Sequence, residues 1–352
     1  MIIFKSGNLL EDSAEAYVNT VNTVGVMGKG IALQFKQAFP QVYKEYEKDC
    51  RKGLVQTGHM HVVKLDGLTN PKYVINFPTK QHWKSPSKIE YIQSGLIDLI
   101  RVIQELNIRS IALPPLGCGN GGLDWKKVLP EIEAAFNNTN VEVHLYAPEG
   151  APEPDQLTIR TKKPKMTKGR ALLISLMDSY AAPGYRLSNL EVQKLAYFLQ
   201  EAGEQMKLDF KKYKYGPYAE NLNHVLQRIE GHYIRGYGDR TREAEIYLID
   251  DATEKAKEFL QSDNVATERL KEVKSLIKGF ENPYGMELLS TVYWIMKENP
   301  MKSKDYIYVA EEVKNWNPRK REIFSDNHIL KVWTYLDNQI DLKEKNPDEH
   351  IL

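Results

Sequence analysis

Over the first 150 residues, short apolar runs alternate with segments in which apolar positions recur every three or four residues. The runs Ile2–Phe4, Ala16–Val21, Met60–Leu65, Tyr73–Phe77, Ser110–Leu113 and Val141–Tyr146 have the β-branched and aromatic character of buried strands. Between them, Ile31–Phe39, Gln41–Lys52, Lys88–Leu106 and about Trp125–Phe136 carry helical spacing, with Pro130 obscuring where the last one starts. Such alternation predicts an α/β domain whose largely parallel sheet is covered on both faces. From 171 onward the pattern becomes helical. Leu172–Tyr180 is apolar and periodic, Ser188-Asn189-Leu190-Glu191 has the form of a capping box, and Leu222, Val225, Leu226 and Ile229 make one helical stripe. Further helices are expected over 265–278, 286–298, 304–315 and 327–338, with one short strand at Glu245–Ile249. Between the two patterns, residues 151–170 hold three prolines and six basic residues against two acidic ones. They read as a linker, either simply solvated or a phosphate-contacting track.

Composition narrows the class. With 352 residues, 42% hydrophobic and 27% charged, the chain has core material for two globular domains. A formal net charge of +1 supplies no general attraction to nucleic acid or membrane. Only Cys50 and Cys118 occur, which argues against a disulfide framework or a cysteine zinc site. The start of the chain lacks the basic and apolar regions of a signal peptide. No apolar run approaches the ~20 residues needed to span a bilayer. The expectation is a cytoplasmic protein without membrane partners.

Candidate chemistry concentrates in loops that follow strands. After Ala16–Val21 comes Asn22-Thr23-Val24-Gly25-Val26-Met27-Gly28-Lys29-Gly30-Ile31-Ala32, leading into a helix. Glycines allow backbone N–H groups to approach an anion, and the helix N-terminus adds partial positive charge. The spacing fits neither a P-loop nor a dinucleotide fingerprint. It reads as a phosphate cradle, with a plain glycine-rich turn as the alternative. A second strand–glycine loop–helix unit is Leu113-Pro114-Pro115-Leu116-Gly117-Cys118-Gly119-Asn120-Gly121-Gly122-Leu123-Asp124-Trp125, and a third loop is Asn76-Phe77-Pro78-Thr79-Lys80-Gln81-His82-Trp83. Two glycine loops in one domain favour a ligand with two phosphates. His59-x-His61 would share a strand face, but no third metal ligand is evident, so no metal and no cofactor are expected.

Taken together, Gly7-Asn8, Asn22…Gly28-Lys29-Gly30-Ile31-Ala32 and Pro115-Leu116-Gly117-Cys118-Gly119 resemble the macrodomain family, the ADP-ribose-binding fold. Lys29–Lys36 and Asn76-Phe77-Pro78-Thr79-Lys80 are similar to the branch that holds the terminal ADP-ribose glycohydrolase and the DarG antitoxins. The resemblance implies a three-layer α/β/α macrodomain with a mixed sheet over 1–152, followed by a linker over 153–170 and a mainly α-helical domain over 171–345. It implies that Asn8 and Leu9 lie at the adenine end, although Asn8 stands where many macrodomains have aspartate. Asn22 would touch the ribose beside the scissile bond. Gly28, Lys29, Gly30, Gly117, Cys118, Gly119 and Asn120 would line the diphosphate mainly through backbone N–H groups, and Ile31 would be a further ADP-ribose-binding residue. Lys80 would be catalytic.

One position departs from the pattern: the terminal glycohydrolase has an aspartate where Gly121 stands here. Asp124, three residues on, reads as a helix N-cap. His82 and Trp83 would either stack on a base of the modified nucleic acid or pack as a rim. Val192–Gln200 and Phe210-Lys211-Lys212-Tyr213-Lys214-Tyr215-Gly216-Pro217-Tyr218 resemble the SocA-like (Panacea) antitoxin domain. The resemblance therefore implies an antitoxin that removes ADP-ribose from single-stranded DNA modified by a DarT toxin, and that binds the toxin through its C-terminal domain. A non-catalytic ADP-ribose reader and a deacylase of ADP-ribosylated protein carboxylates are the alternatives.

Overall fold

A computed structural model describes residues 1–67, 69–149, 157–182, 184–238, 244–249 and 251–345. The chain divides into two units, Met1–Lys163 with Gly236–Ala244, and Pro164–Arg235 with Glu245–Leu352. The first part of the expected linker, residues 151–156, lies outside the described residues.

The first unit contains β1 Ile2–Lys5, β2 Ala16–Val21, α1 Gly30–Ala38, α2 Pro40–Arg51, β3 His61–Lys64, β4 Tyr73–Pro78, α3 Ile89–Glu105, β5 Ser110–Leu113, α4 Trp125–Phe136 and β6 Glu142–Tyr146. Strand order is β1-β6-β5-β2-β4-β3. All neighbours run parallel except β3, which pairs antiparallel with β4 at the edge, so the sheet is mixed.

Alternate residues along each strand face opposite sides. Ala16, Val18, Ile75, Phe77, Ile111, Leu113, Val143 and Leu145 pack with Ile92, Leu96 and Leu99 of α3 and Val128 and Ile132 of α4. On the opposite face Tyr17, Val74 and Ala112 meet Phe35 of α1 and Val42 of α2. Helices thus cover both faces, giving the three layers.

A polar row crosses that second face. Asn19 lies opposite Asn76, which lies opposite His61. Asn19 Nδ2 donates to Asn76 Oδ1 at 2.9 Å, and Asn76 Nδ2 lies 3.1 Å from His61 Nδ1. Both asparagines are fully buried.

Helix ends follow the capping residues. Asp124 caps α4 by accepting from the Lys126 N–H at 3.0 Å. Pro130 lies inside α4 without ending it; the carbonyl left without that N–H belongs to exposed Lys126. His59 precedes β3 and is exposed, whereas His61 is engaged by Asn76 and by Asp49 at 3.3 Å. The two imidazoles therefore do not share a strand.

The second unit is mainly helical: α5 Lys168–Tyr180, α6 Asn189–Glu201, α7 Leu222–Ile229, α8 Ala252–Leu260, α9 Asn264–Ile277, α10 Pro283–Glu298, α11 Tyr306–Asn315, α12 Pro318–Ile323 and α13 Asp326–Lys345. Two small antiparallel pairs accompany them, β7 Phe210–Tyr213 with β8 Gly216–Ala219, and β9 Ile234–Arg235 with β10 Tyr247–Leu248. The expected capping box is present, Ser188 and Glu191 each accepting from the other's backbone.

The Lys-Tyr-Lys-Tyr-Gly-Pro-Tyr segment forms the β7–β8 hairpin. Its Tyr213 is exposed and stacks on Tyr218 at 5.2 Å. Beneath the hairpin, Lys194 Nζ donates to the Pro217 carbonyl at 2.6 Å, and Lys320 and Arg319 both donate to Glu287 Oε1 at 2.6 Å. Burial lowers the Lys194 amine to about 7 and the Lys320 amine to about 8, Glu287 opposing the fall in both. Among the described residues no helix is long and apolar enough to cross a membrane.

Candidate active site at one edge of the sheet

Because β5, β2 and β4 are adjacent and parallel, the loops that follow them leave from the same edge of the sheet. Hydrogen bonds between Thr23 and Gln81 and between Lys80 and Asn120, with a close approach of Gly30 to Asn120, tie them together. The Thr23 N–H and Oγ1 donate to the Gln81 carbonyl at 3.1 and 2.7 Å. Lys80 Nζ donates to the Asn120 carbonyl at 2.9 Å. A Cβ at Gly30, whose φ is +58°, would lie 3.0 Å from Asn120 Nδ2. The structure thus brings together Lys80, Gly30 and Asn120, one from each loop.

The first loop is folded by Asn22. Its Oδ1 accepts from the Val24 and Val26 N–H groups at 3.0 and 3.3 Å, and its Nδ2 donates to the Val26 carbonyl at 2.5 Å. Buried Tyr46 donates to the Asn22 carbonyl at 2.7 Å. Asn22 therefore spends its amide on loop shape. Gly28 and Lys29 follow, and Gly30 and Ile31 open α1, where the first amides of a helix lack intrahelical partners.

In the loop after β4, the buried Thr79 N–H donates to the Val21 carbonyl at 3.0 Å, fixing where Lys80 leaves the sheet. Lys80 is partly exposed, and burial lowers its amine below the usual lysine value. His82 and Trp83 stack at 5.4 Å with 39% of Trp83 exposed, and Lys84 Nζ sits 4.6 Å from the Trp83 ring centre.

The loop after β5 holds Gly117, Cys118, Gly119 and Asn120. Burial, with Asp124 nearby, pushes the Cys118 thiol up to about 12, which favours the protonated thiol at neutral pH. Gly121 leaves no room for a side chain: a Cβ there would lie 2.3 Å from both the Gly117 carbonyl oxygen and Ser87 Oγ. A side chain at position 121 would run into this chain's own backbone at Gly117 and into Ser87.

Asn8 and Leu9 follow β1 at the same sheet edge. Asn8 caps a 3₁₀ turn, accepting from the Leu10 N–H at 3.1 Å and donating to Glu11 at 2.9 Å, while Leu9 is buried. Asp12 closes this turn. It receives Tyr146 at 2.7 Å and Lys5 at 3.0 Å, and lies 2.5 Å from His144 Nδ1. Burial alone would raise its carboxyl, yet these hydrogen bonds hold it below the usual range.

Sequence reasoning missed Asp12, Ser87 and the Thr23–Gln81 clasp, whose partners lie 58 or more residues away for Thr23 and 132 for Asp12 with His144. No local spacing marks them. It also missed the downstream segment Gly236–Gly238, which belongs to this unit.

Comparison with known proteins sets this geometry in context. Residues 18–132 match the family model described as Macro domain. The chain is 50% identical over 330 residues to a DNA ADP-ribosyl glycohydrolase of Thermus aquaticus, covering 94% of this chain and 91% of that protein. It is 43% identical to the protein of that name from Mycobacterium tuberculosis, covering 94% and 97% respectively. Among solved structures, the macrodomain of Mycobacterium tuberculosis DarG is 57% identical over 42% of this chain and 99% of that one, with a TM-score of 0.42.

Proposed function

The chain belongs to the DNA ADP-ribosyl glycohydrolase family, and we propose that it cleaves the bond joining ADP-ribose to a base of single-stranded DNA. The observation that carries this reading is Lys80. Its amine, partly withdrawn from water, stands where the loops after β4 and β5 meet, anchored on the Asn120 carbonyl.

ADP-ribose would lie along the sheet edge. Its adenine would sit near Asn8 and Leu9 after β1, its diphosphate against Gly28–Ile31 and Gly117–Asn120, and its distal ribose near Asn22 and Lys80. From β1 to β4 the strand order spans four inter-strand steps, about 19 Å at the usual spacing. Such a length suits an extended nucleotide sugar.

When the glycosidic bond breaks, positive charge develops on the ribose and negative charge on the leaving base. A neutral amine attacks the ribose carbon as the base leaves, and water then breaks the lysine–sugar bond to free ADP-ribose; a charged amine instead protonates the leaving base while water attacks the ribose carbon. Burial shifts Lys80 towards the neutral form at a lower pH than an exposed lysine. With position 121 closed to a carboxylate, the chemistry centres on this amine and on the held diphosphate.

His82 and Trp83 would contact the nucleic acid strand. The helical unit, carrying the exposed aromatic hairpin, would bind the cognate DarT toxin, making the whole chain an antitoxin. The fusion protein of Thermosipho africanus, 34% identical over 40% of this chain, joins a DNA ADP-ribosyl transferase to a glycohydrolase in one polypeptide, which supports such a pairing.

The test is release of free ADP-ribose from ADP-ribosylated single-stranded DNA. Lys80→Ala should slow release by about 10² or more, the range for a positioned acid or base, while ADP-ribose affinity changes little. No release by the native chain would leave a non-catalytic reader of ADP-ribose. Equal release by Lys80→Ala would remove the lysine from the mechanism. Preference for a protein-linked over a DNA-linked substrate would make the chain a deacylase instead. For the toxin, failure of the full chain to co-purify with DarT would refute the partnership.

A further inference from the structure

The amide at the start of α1 already has a partner. The Gly30 N–H donates to the carbonyl of Gly238 at 2.7 Å, across more than two hundred residues of chain. Tyr237, just before it, is 1% exposed, and the Lys29 amine lies 5.4 Å from its ring centre. Gly238 presses on the same helix: a Cβ there would fall 2.3 Å from Leu33 Cδ2, and Leu33 is itself buried. Among the described residues, segment Gly236–Gly238 therefore seats on Lys29, Gly30 and Leu33 through a hydrogen bond, a ring and a close backbone approach.

That position is the diphosphate cradle of the reading given above, on which this inference rests. A carbonyl oxygen and a phosphate oxygen are both acceptors, and the Gly30 N–H offers a single proton. The negative end of the Gly238 carbonyl would also face an incoming anion. The ring of Tyr237 meanwhile draws on the Lys29 cation that the same anion would use.

We propose that Gly236–Gly238 is an internal strap that closes the diphosphate cradle, and that ADP-ribose and the strap compete for the Gly30 amide and the Lys29 amine. Binding exchanges one acceptor for another: the nucleotide enters as the Gly238 carbonyl leaves. The strap's own hold is set by Tyr237 burial and by the absence of a side chain at 238. Either Tyr237→Ala or Gly238→Ala should loosen it without touching any group assigned to the nucleotide.

The experiment is calorimetric titration of the full chain and both variants with ADP-ribose, and with adenosine as a phosphate-free probe. It is paired with hydrogen exchange of the wild-type chain. Removing a competitor worth one hydrogen bond should tighten ADP-ribose about two- to tenfold in each variant. Adenosine affinity should not differ among the three proteins. In the wild type, ADP-ribose should speed amide exchange over 236–238, and adenosine should not.

Unchanged or weaker ADP-ribose binding by the variants, or slower strap exchange with ADP-ribose, would overturn the proposal and make the segment a wall of the occupied site. If a variant fails to fold, the wild-type exchange measurement decides alone. If no form of the chain binds ADP-ribose, the reading of the cradle falls and the strap falls with it.

Discussion

Replacing Gly121 by alanine should damage the site more than the size of a methyl group suggests. The added Cβ would stand 2.3 Å from the Gly117 carbonyl oxygen and 2.3 Å from Ser87 Oγ, with Gly117 backbone carbon at 2.9 Å. Carbon–oxygen contacts settle near 3.3 Å, so the two sides must part by about 1 Å. Neither side yields easily, because the Ser87 N–H donates to the Gly121 carbonyl at 2.9 Å and the Leu123 N–H to Gly117 at 3.0 Å. Overpacking of this kind costs about 1–3 kcal/mol, or roughly 2–4 °C in Tm per kcal/mol for a domain of this size.

The functional loss should be larger. Asn120, the neighbouring residue, holds Lys80 through its carbonyl; if Lys80 acts as proposed above, a 1 Å misplacement of it costs about 10² in rate. Single-turnover release of ADP-ribose from modified single-stranded DNA measures the rate, and a melting curve measures the fold. Gly119→Ala is the stability control, since a Cβ there meets nothing within 4 Å, and it should melt like the native chain. Gly121→Asp should fare no better than Gly121→Ala. A Gly121→Ala protein with native Tm and native rate would refute the claim that backbone and Ser87 exclude a side chain here.

Three further outcomes follow from the same structure. Lys80 has its pKa lowered in the folded state, so between the folded value and 10.5 the unfolded chain binds more protons and stability rises with pH. The stability of Lys80→Met relative to the native chain should therefore be highest near pH 7 and decline towards pH 10, as read by thermal melts across that range. Glu287→Gln leaves the fully buried Lys320 without its carboxylate and should cost about 3–5 kcal/mol, seen as a lower urea midpoint. Asp124→Ala removes only the N-cap of α4, so it should cost about 1 kcal/mol in a melt.

Much of the first unit was legible because its strands are short apolar runs between strong turn residues. The expected Ala16–Val21 and Ser110–Leu113 are β2 and β5 as observed, and the glycine loops fall between strand and helix. Boundaries moved where local rules compete. Pro78 closes β4 instead of following it, and β3 is shorter than the apolar run that suggested it. Pro40, which lies between the expected helices Ile31–Phe39 and Gln41–Lys52, opens the second of them, where a missing N–H costs nothing.

In the second unit, the β7–β8 hairpin was not foreseen, because its Lys-Tyr alternation gives no apolar face of its own. Gly216 instead backs onto Ser290, Thr291 and Lys194, contacts set by distant helices. The site was legible as a set of loops but not as a set of contacts. Lys80 with Asn120 spans 40 residues and Thr23 with Gln81 spans 58, separations that no window of sequence reports.

The row of buried Asn19 and Asn76 with half-buried His61 sets a common datum for the strands beneath the candidate site. Sliding any one of β2, β4 or β3 by a single residue would turn its polar group to the opposite face and strand its partner, at about 1–3 kcal/mol for each orphaned group. The heights at which Asn22 and Thr79 leave the sheet are thereby locked to one another. Any adaptation to different DNA substrates must then come from the loops and their side chains, over a platform that does not shift.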